Sequence, residues 1–99
     1  MIRLENKSNI LKEQMIELTK LNNMVKDIIN HPNRNQYLDQ ILVEYIVREH
    51  DNIEKYINYV NGYLNDIEEE DIPEDFIIVL NDYIIHSKKS IINISLLVL

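Results

Sequence analysis

Apolar residues recur at spacings of three, four and seven through the first third of the chain, and this spacing constrains the fold more than any other feature. The positions are Leu4, Leu11, Met15, Leu18, Leu21, Val25, Ile28 and Ile29. Side chains at such spacings lie on one face of an α-helix. The pattern predicts an amphipathic helix from about residue 3 to Asn30. We expect it to end there because Pro32 biases His31 away from helical backbone angles.

The same seven-residue rhythm predicts a second helix from about Arg34 to Glu68. Its apolar positions are Leu38, Leu42, Tyr45, Ile53, Tyr56, Val60, Tyr63 and Ile67. In residues 48–52, Glu49 and Asn52 stand where the stripe expects apolar side chains. Two interpretations are open: one continuous helix, or a break with Asp51 as the N-cap of a new helix. Continuity is favoured because no glycine or proline lies at the break.

A third helix is predicted to start at Pro73, which suits a first helical turn, and Glu74 and Asp75 complement its positive amino-terminal end. Its apolar positions are Phe76, Ile77, Leu80, Tyr83, Ile84 and Ile91. The apolar residues 91–99 could extend this helix, form a short strand or pack on a partner. Further apolar area outside the stripe is contributed by Ile85, Ile92, Leu96 and Leu97. Such a surface typifies an interface, unless the tail folds back over its own helices.

These elements predict an all-α fold in a single domain, residues 1–99, built as an antiparallel bundle of three long helices or as an intertwined dimer. No run approaches the ~20 apolar residues needed to cross a bilayer. The amino terminus mixes charged and apolar residues, unlike a signal peptide. The absence of cysteine excludes disulfides and thiolate metal sites. We therefore expect a cytoplasmic protein.

The charge is distributed unevenly along the chain. Residues 1–34 carry a net charge of +2 and residues 35–99 a net charge of −9. An acidic body argues against nucleic acid as a partner, because binding to it depends on neutralising phosphates with lysine and arginine. The densest acidic run is Glu68, Glu69, Glu70 and Asp71. It is a candidate contact for a basic protein partner, although a solvated turn is the commoner meaning.

No metal or cofactor site is predicted. His50 and Glu54 are four residues apart and could hold the edge of a metal site, but such pairs are more often surface contacts. Tyr56, Tyr59 and Tyr63 follow the helical spacing and indicate aromatic rings at the edge of the core, with hydroxyls that extend to water.

The segment that most resembles a chemical site is Asn35-Gln36-Tyr37-Leu38-Asp39, which is followed directly by the apolar-periodic run Gln40 to Tyr45. Gln36 and Asp39 are three residues apart at the start of the predicted second helix. Residues at this spacing share one helical face, so we expect the amide and the carboxylate to address the same object.

Residues 35–45, NQYLDQILVEY, resemble the small aspartyl-phosphate phosphatases that restrain sporulation in endospore-forming bacteria. Gln36, Leu38 and Asp39 match the Gln, Leu and Asp of the family's Ser-Gln-Glu-Leu-Asp motif. Asn35 replaces the motif's Ser, and Tyr37 replaces its Glu. The resemblance covers roughly the first half of the chain.

The resemblance implies a helical hairpin that docks on a phosphorylated response regulator and speeds hydrolysis of its aspartyl phosphate. Asp39 would accept a hydrogen bond or proton from the attacking water, and Gln36 would orient that water. Asn35 and Tyr37 would contact the partner. The protein would need no cofactor beyond the divalent cation that the regulator itself supplies.

A non-enzymatic function is the alternative. On this interpretation the chain is a protein-binding inhibitor, or an immunity or antitoxin-like helical bundle of phage, viral or plasmid origin. It would act through its acidic surface or its apolar tail, and Asp39 would only stabilise the start of a helix.

Overall fold

A computed structural model describes residues 6–31 and 38–98. In this part of the chain three long helices and one short 3-10 turn are present, and there is no strand. Helix α1 spans Lys7–Asn30, α2 spans Gln40–Asp66 and α3 spans Glu74–Val98. The 3-10 turn, Glu69–Asp71, connects α2 to α3. The predicted all-α architecture with three long helices is confirmed.

The observed helix boundaries correct two predicted helix starts and decide between two open alternatives. Helix α1 begins at Lys7, directly after the left-handed Asn6, rather than at about residue 3, and Leu4 lies outside the described residues. Helix α2 is continuous through residues 48–52, and Gly62 lies within it. It begins at Gln40 rather than near Arg34, because Asp39 has extended backbone angles (φ −76°, ψ 172°) and stands outside the helix. The apolar residues after Ile91 extend α3 as far as Val98.

Helix α1 holds the bundle together. It packs against both α2 and α3, whereas the backbones of α2 and α3 approach each other at few points. The fully buried apolar side chains on α1 are Leu11, Leu18, Leu21, Val25 and Ile28. They meet a core that includes Ile46, Ile53 and Val60 of α2, and Ile77, Leu80 and Ile91 of α3. The stripe of apolar residues predicted for α1 is therefore its buried face.

Aromatic rings fill the wider space between α2 and α3. The ring of Tyr56 lies 4.5 Å from that of Tyr83, and the ring of Tyr63 lies 4.7 Å from that of Phe76. Tyr59 is more exposed and meets Phe76 edge-on. Rings at these distances contribute both apolar burial and a preferred geometry. The prediction that these tyrosines lie at the edge of the core is confirmed.

The amino-terminal end of α1 depends on the turn between α2 and α3. Asn6 has left-handed backbone angles and makes no side-chain capping bond. Instead, the amide of Ser8 donates to Oε1 of Glu69 at 3.0 Å. Nζ of Lys7 donates to the carbonyls of Ile72 at 2.8 Å and Glu70 at 3.3 Å. A carboxylate from a distant part of the chain thus takes the place of an N-cap.

The bundle is elongated, with extents of 48, 25 and 18 Å, and its two ends differ. The turn end contains the start of α1, the end of α2 and the start of α3. The opposite end contains the start of α2 and the carboxyl-terminal parts of α1 and α3. None of the helices in the described ranges combines the length and apolar character that crossing a bilayer requires.

Candidate functional site

Asp39, the predicted catalytic carboxylate, is the N-cap of α2. Its Oδ1 accepts a hydrogen bond from the backbone amide of Leu42 at 2.9 Å. Leu38, directly before it, is buried in the core, and Val43 packs against that core. An apolar residue before the cap and another at the fourth helical position form the arrangement called a hydrophobic staple. Helix capping therefore explains the aspartate at position 39, and packing against the core explains the apolar residues Leu38 and Val43.

The Asp39 carboxylate can accept hydrogen bonds in addition to the one that caps the helix. It is exposed, and Oδ1 is the carboxylate oxygen with a hydrogen bond to another described residue. The second oxygen can accept a hydrogen bond from water or from a partner's donor group. An exposed carboxylate at a helix start is placed to meet an approaching macromolecule.

Asp39 stands just before the first residue of α2 and not within the helix that the sequence predicted for it. Gln36, Asn35 and Tyr37 themselves lie outside the described residues, so their predicted roles stay predictions.

The end of the bundle that contains Asp39 also carries exposed apolar side chains. Ile41 is 75% exposed and Leu96 is 77% exposed, the two highest values among the large apolar residues in the described ranges. Leu97, beside Leu96, is 56% exposed. Helices α2 and α3 run antiparallel, and Glu49 lies level with Tyr83 and Ser87. Continuing this register places Ile41 and Leu96 at about the same height along the bundle.

The acidic run predicted to contact a partner forms the opposite end. Glu68, Glu69, Glu70 and Asp71 are all exposed. Glu69 is engaged within the chain, because its carboxylate caps α1 at Ser8. Lys7 is anchored by the carbonyl of Glu70, not by its carboxylate. Partner binding by this run therefore remains a prediction, and part of its acidity has a structural function.

One amide on α1 contacts both His50 and Glu54, the pair considered above as the edge of a metal site. Nδ2 of Asn22 donates to Oε1 of Glu54 at 2.9 Å, and Oδ1 of Asn22 lies 2.9 Å from Nδ1 of His50. Since that oxygen can only accept, Nδ1 of His50 carries the proton in this arrangement. Across the described residues, no three histidine or acidic side chains converge in a way that could hold a metal ion.

Glu49, which interrupts the apolar stripe of α2, is buried and pairs with α3. Its Oε2 accepts hydrogen bonds from the Tyr83 hydroxyl at 2.7 Å and the Ser87 hydroxyl at 3.2 Å. Burial raises the pKa of the Tyr83 hydroxyl, and its hydrogen bond to the Glu49 carboxylate raises that pKa further. The polar residue that suggested a break is instead the main polar link between α2 and α3.

Gln14 is the remaining buried amide on α1 and borders an open groove between α1 and α3. Its Nε2 donates to the carbonyl of Ile77 at 3.0 Å. Its Oε1 is buried and has no hydrogen-bond partner among the described residues. The groove has a volume of about 380 Å³ and is lined by Ile10, Glu13, Gln14, Glu17, Ile77, Ile78, Asn81 and Ile84.

Asn22→Asp tests the polar contact between α1 and α2. The new carboxylate would face Glu54 across 2.9 Å, so we expect the free energy of unfolding to fall by about 2–5 kcal/mol at neutral pH. The loss should shrink in acid, because a protonated carboxyl can donate to the other. Asn23→Asp makes the same charge change on the exposed neighbour and should stay within about 0.5 kcal/mol of the wild type. Equal effects in urea denaturation would contradict this account.

Tyr83→Phe tests the contact between α2 and α3. We expect it to lower the free energy of unfolding by about 1–3 kcal/mol at about pH 8, because Glu49 loses its shorter hydrogen bond. The folded wild type keeps Tyr83 protonated as the pH rises, whereas the unfolded chain ionises it, so wild-type stability falls above about pH 10. The difference between the two proteins should therefore narrow by up to about 1.4 kcal/mol per pH unit.

Urea denaturation at several pH values measures this narrowing. Tyr59→Phe removes a hydroxyl from an exposed ring and serves as the control, which should follow the wild type. A constant difference between wild type and Tyr83→Phe across the alkaline range would show that the Tyr83 hydroxyl is not held protonated by the fold.

Comparisons with known proteins identify no relative of this chain. No family model matches it, and neither a curated protein nor a solved structure was found to match. Its function has to be inferred from its own residues and their geometry.

Proposed function

We propose that this chain is a small regulator that docks on a protein partner through the end of the bundle where α2 begins. The observation that supports this most strongly is the exposure of Ile41 and Leu96 at that end, 75% and 77% respectively. Large apolar side chains exposed together are a usual mark of a protein-binding surface. Asp39, two residues before Ile41, adds an exposed carboxylate that can accept hydrogen bonds.

The reaction that we propose this protein catalyses is hydrolysis of a phosphorylated aspartate on a response regulator. Water must attack the phosphorus in line with the leaving carboxylate, and positioning that water accounts for much of the rate. The oxygen of Asp39 that is not used for capping would accept a hydrogen bond from the water. Gln36 would orient the attacking water, and the regulator would supply the divalent cation.

The position of Asp39 fits this activity in one further respect. Its first oxygen is held by the amide of Leu42, which fixes the direction of the carboxylate. The second oxygen is then presented in a defined orientation rather than on a freely rotating side chain. Preorganisation of this kind favours catalysis by positioning.

Non-enzymatic binding is the second candidate, and a specific observation favours it. The cap at Leu42 explains why an aspartate stands at position 39 without any chemistry. Such a protein would bind its target stoichiometrically, as an inhibitor or an immunity or antitoxin-like bundle does. The exposed carboxylates of Glu68, Glu70 and Asp71 at the turn end would suit a basic partner surface.

Asp39→Asn separates catalysis from capping. Asparagine caps helices as well as aspartate does, so the free energy of unfolding should stay unchanged while the carboxylate is lost. We expect the variant's acceleration of phosphate loss to fall by about 100-fold or more. The half-life of the aspartyl phosphate on a panel of purified response-regulator receiver domains measures this, and Asp51→Asn, an exposed position on α2, is the control.

Two results of this assay would contradict the enzymatic proposal. One is a phosphoryl half-life that the wild-type protein leaves unchanged on every regulator tested. The other is full activity of Asp39→Asn, since capping alone would then explain the residue.

Ile41→Asp tests the docking surface independently of the chemistry. We expect it to weaken binding to the partner by about tenfold or more, because a charge would replace an apolar contact. Ile67→Asp is the matched control, since Ile67 is 40% exposed at the turn end. Calorimetry with the responding receiver domain, or with a protein retained by affinity capture, measures the change. Equal loss in both variants would argue against docking at the Asp39 end.

A further inference from the structure

Helix α3 exposes a row of isoleucines that the bundle does not cover. Ile78, Ile85 and Ile92 are 53%, 45% and 37% exposed. Their spacing of seven residues rotates by only about 20° per repeat on a helix, so they form one nearly straight stripe. The stripe is about 21 Å long at the rise of an α-helix. The stripe lies outside the buried face of α3, which contains Ile77, Leu80, Ile84 and Ile91. Its first member, Ile78, also borders the groove between α1 and α3.

Opposite charges border this stripe on one side. Asp82 and Lys89 each follow a stripe isoleucine by four residues, so they lie on the same flank, seven residues apart. Both are exposed, and neither makes an ion pair with any described residue. Lys88, on the other flank, is already engaged with Glu17 of α1 at 3.7 Å.

We propose that a second copy of this chain covers the stripe, with the two α3 helices antiparallel and a two-fold axis at Ile85. In that arrangement Ile85 meets its own copy, and Ile78 of each chain meets Ile92 of the other. A two-fold axis of this kind also brings equivalent flanks together. Asp82 then lies within about 1.5 Å, along the helix axis, of the partner copy's Lys89.

The charge pattern is the reason why we propose a second copy of the chain as the molecule that covers the stripe. In an antiparallel pair, Asp82 of each copy lies next to Lys89 of the other, so the surface is complementary to itself. A parallel pair would instead bring opposite flanks together and place Lys89 beside the partner copy's Lys88, which is repulsive. The surface is small, so we expect weak association that is visible at high protein concentration. The docking proposal is tested at the start of α2, where Asp39 and Ile41 lie, although Leu96, which it also uses, lies on α3 four residues beyond Ile92.

Sedimentation equilibrium over about 1 µM to 1 mM protein tests the proposal, since weak pairs dissociate in the micromolar range or above. The wild type should form dimers, and Ile85→Asp should be monomeric throughout. Val79→Asp is the matched control, because Val79 is 55% exposed on α3 but lies well away from the stripe. It should dimerise like the wild type, and circular dichroism checks that both variants remain helical.

Charge exchange tests the antiparallel register. Asp82→Lys alone and Lys89→Asp alone should each weaken the dimer by about tenfold, since each places like charges together. The double variant restores both pairs in reversed sense and should associate like the wild type. Because the chain contains no cysteine, Ile85→Cys provides an independent readout. It should form an intermolecular disulfide faster than Val79→Cys.

A wild-type chain that stays monomeric over the whole range would overturn the proposal and leave the stripe to a different kind of partner. So would a dimer that Ile85→Asp leaves intact, or a double charge variant as weak as the single ones. None of these results would bear on the phosphatase assay, which reports on the Asp39 end.

Discussion

Polar side chains buried in a thin helical bundle must find partners on a neighbouring helix, and this requirement determines how the three helices are aligned. Apolar seams alone could slide by one helical turn with little change in buried area. Here Lys7 holds α1 to the turn before α3, Gln14 holds it to α3, and Asn22 holds it to α2. Glu49 completes the set by joining α2 to α3. Any such slide would leave these groups buried without partners, at a cost of about 1–3 kcal/mol each.

The same requirement explains why α1 is central although it is first in the chain. Three of these polar contacts begin on α1, and its apolar face is buried against both other helices. Helices α2 and α3 follow each other in sequence, yet tyrosine and phenylalanine rings keep their backbones apart. The outer face of α3 is therefore left to solvent or to another molecule.

The sequence predicts the fold well because periodicity carries most of the information. Most described positions of the three stripes are buried or half-buried, with Ile67 as an exposed exception, and the prediction that α2 is continuous through Glu49 holds. The start of α2 was placed too early, because the apolar stripe includes Leu38, which is buried but precedes the helix that Asp39 caps. The polar contacts were missed altogether. Gln14 and Asn22 occupy stripe positions of α1, and that placement is the signal that could have revealed them.

Contacts between the first and last helices also have a consequence for synthesis on the ribosome. Lys7 binds the carbonyl of Ile72, 65 residues later, so α1 cannot complete its interactions while the nascent chain is short. Until α3 emerges, one side of α1 exposes leucine and isoleucine to solvent. A chain that stalls or is truncated before α3 would expose this apolar surface to chaperones and proteases. Production of the protein should therefore be sensitive to premature termination, even when most of the message has been translated.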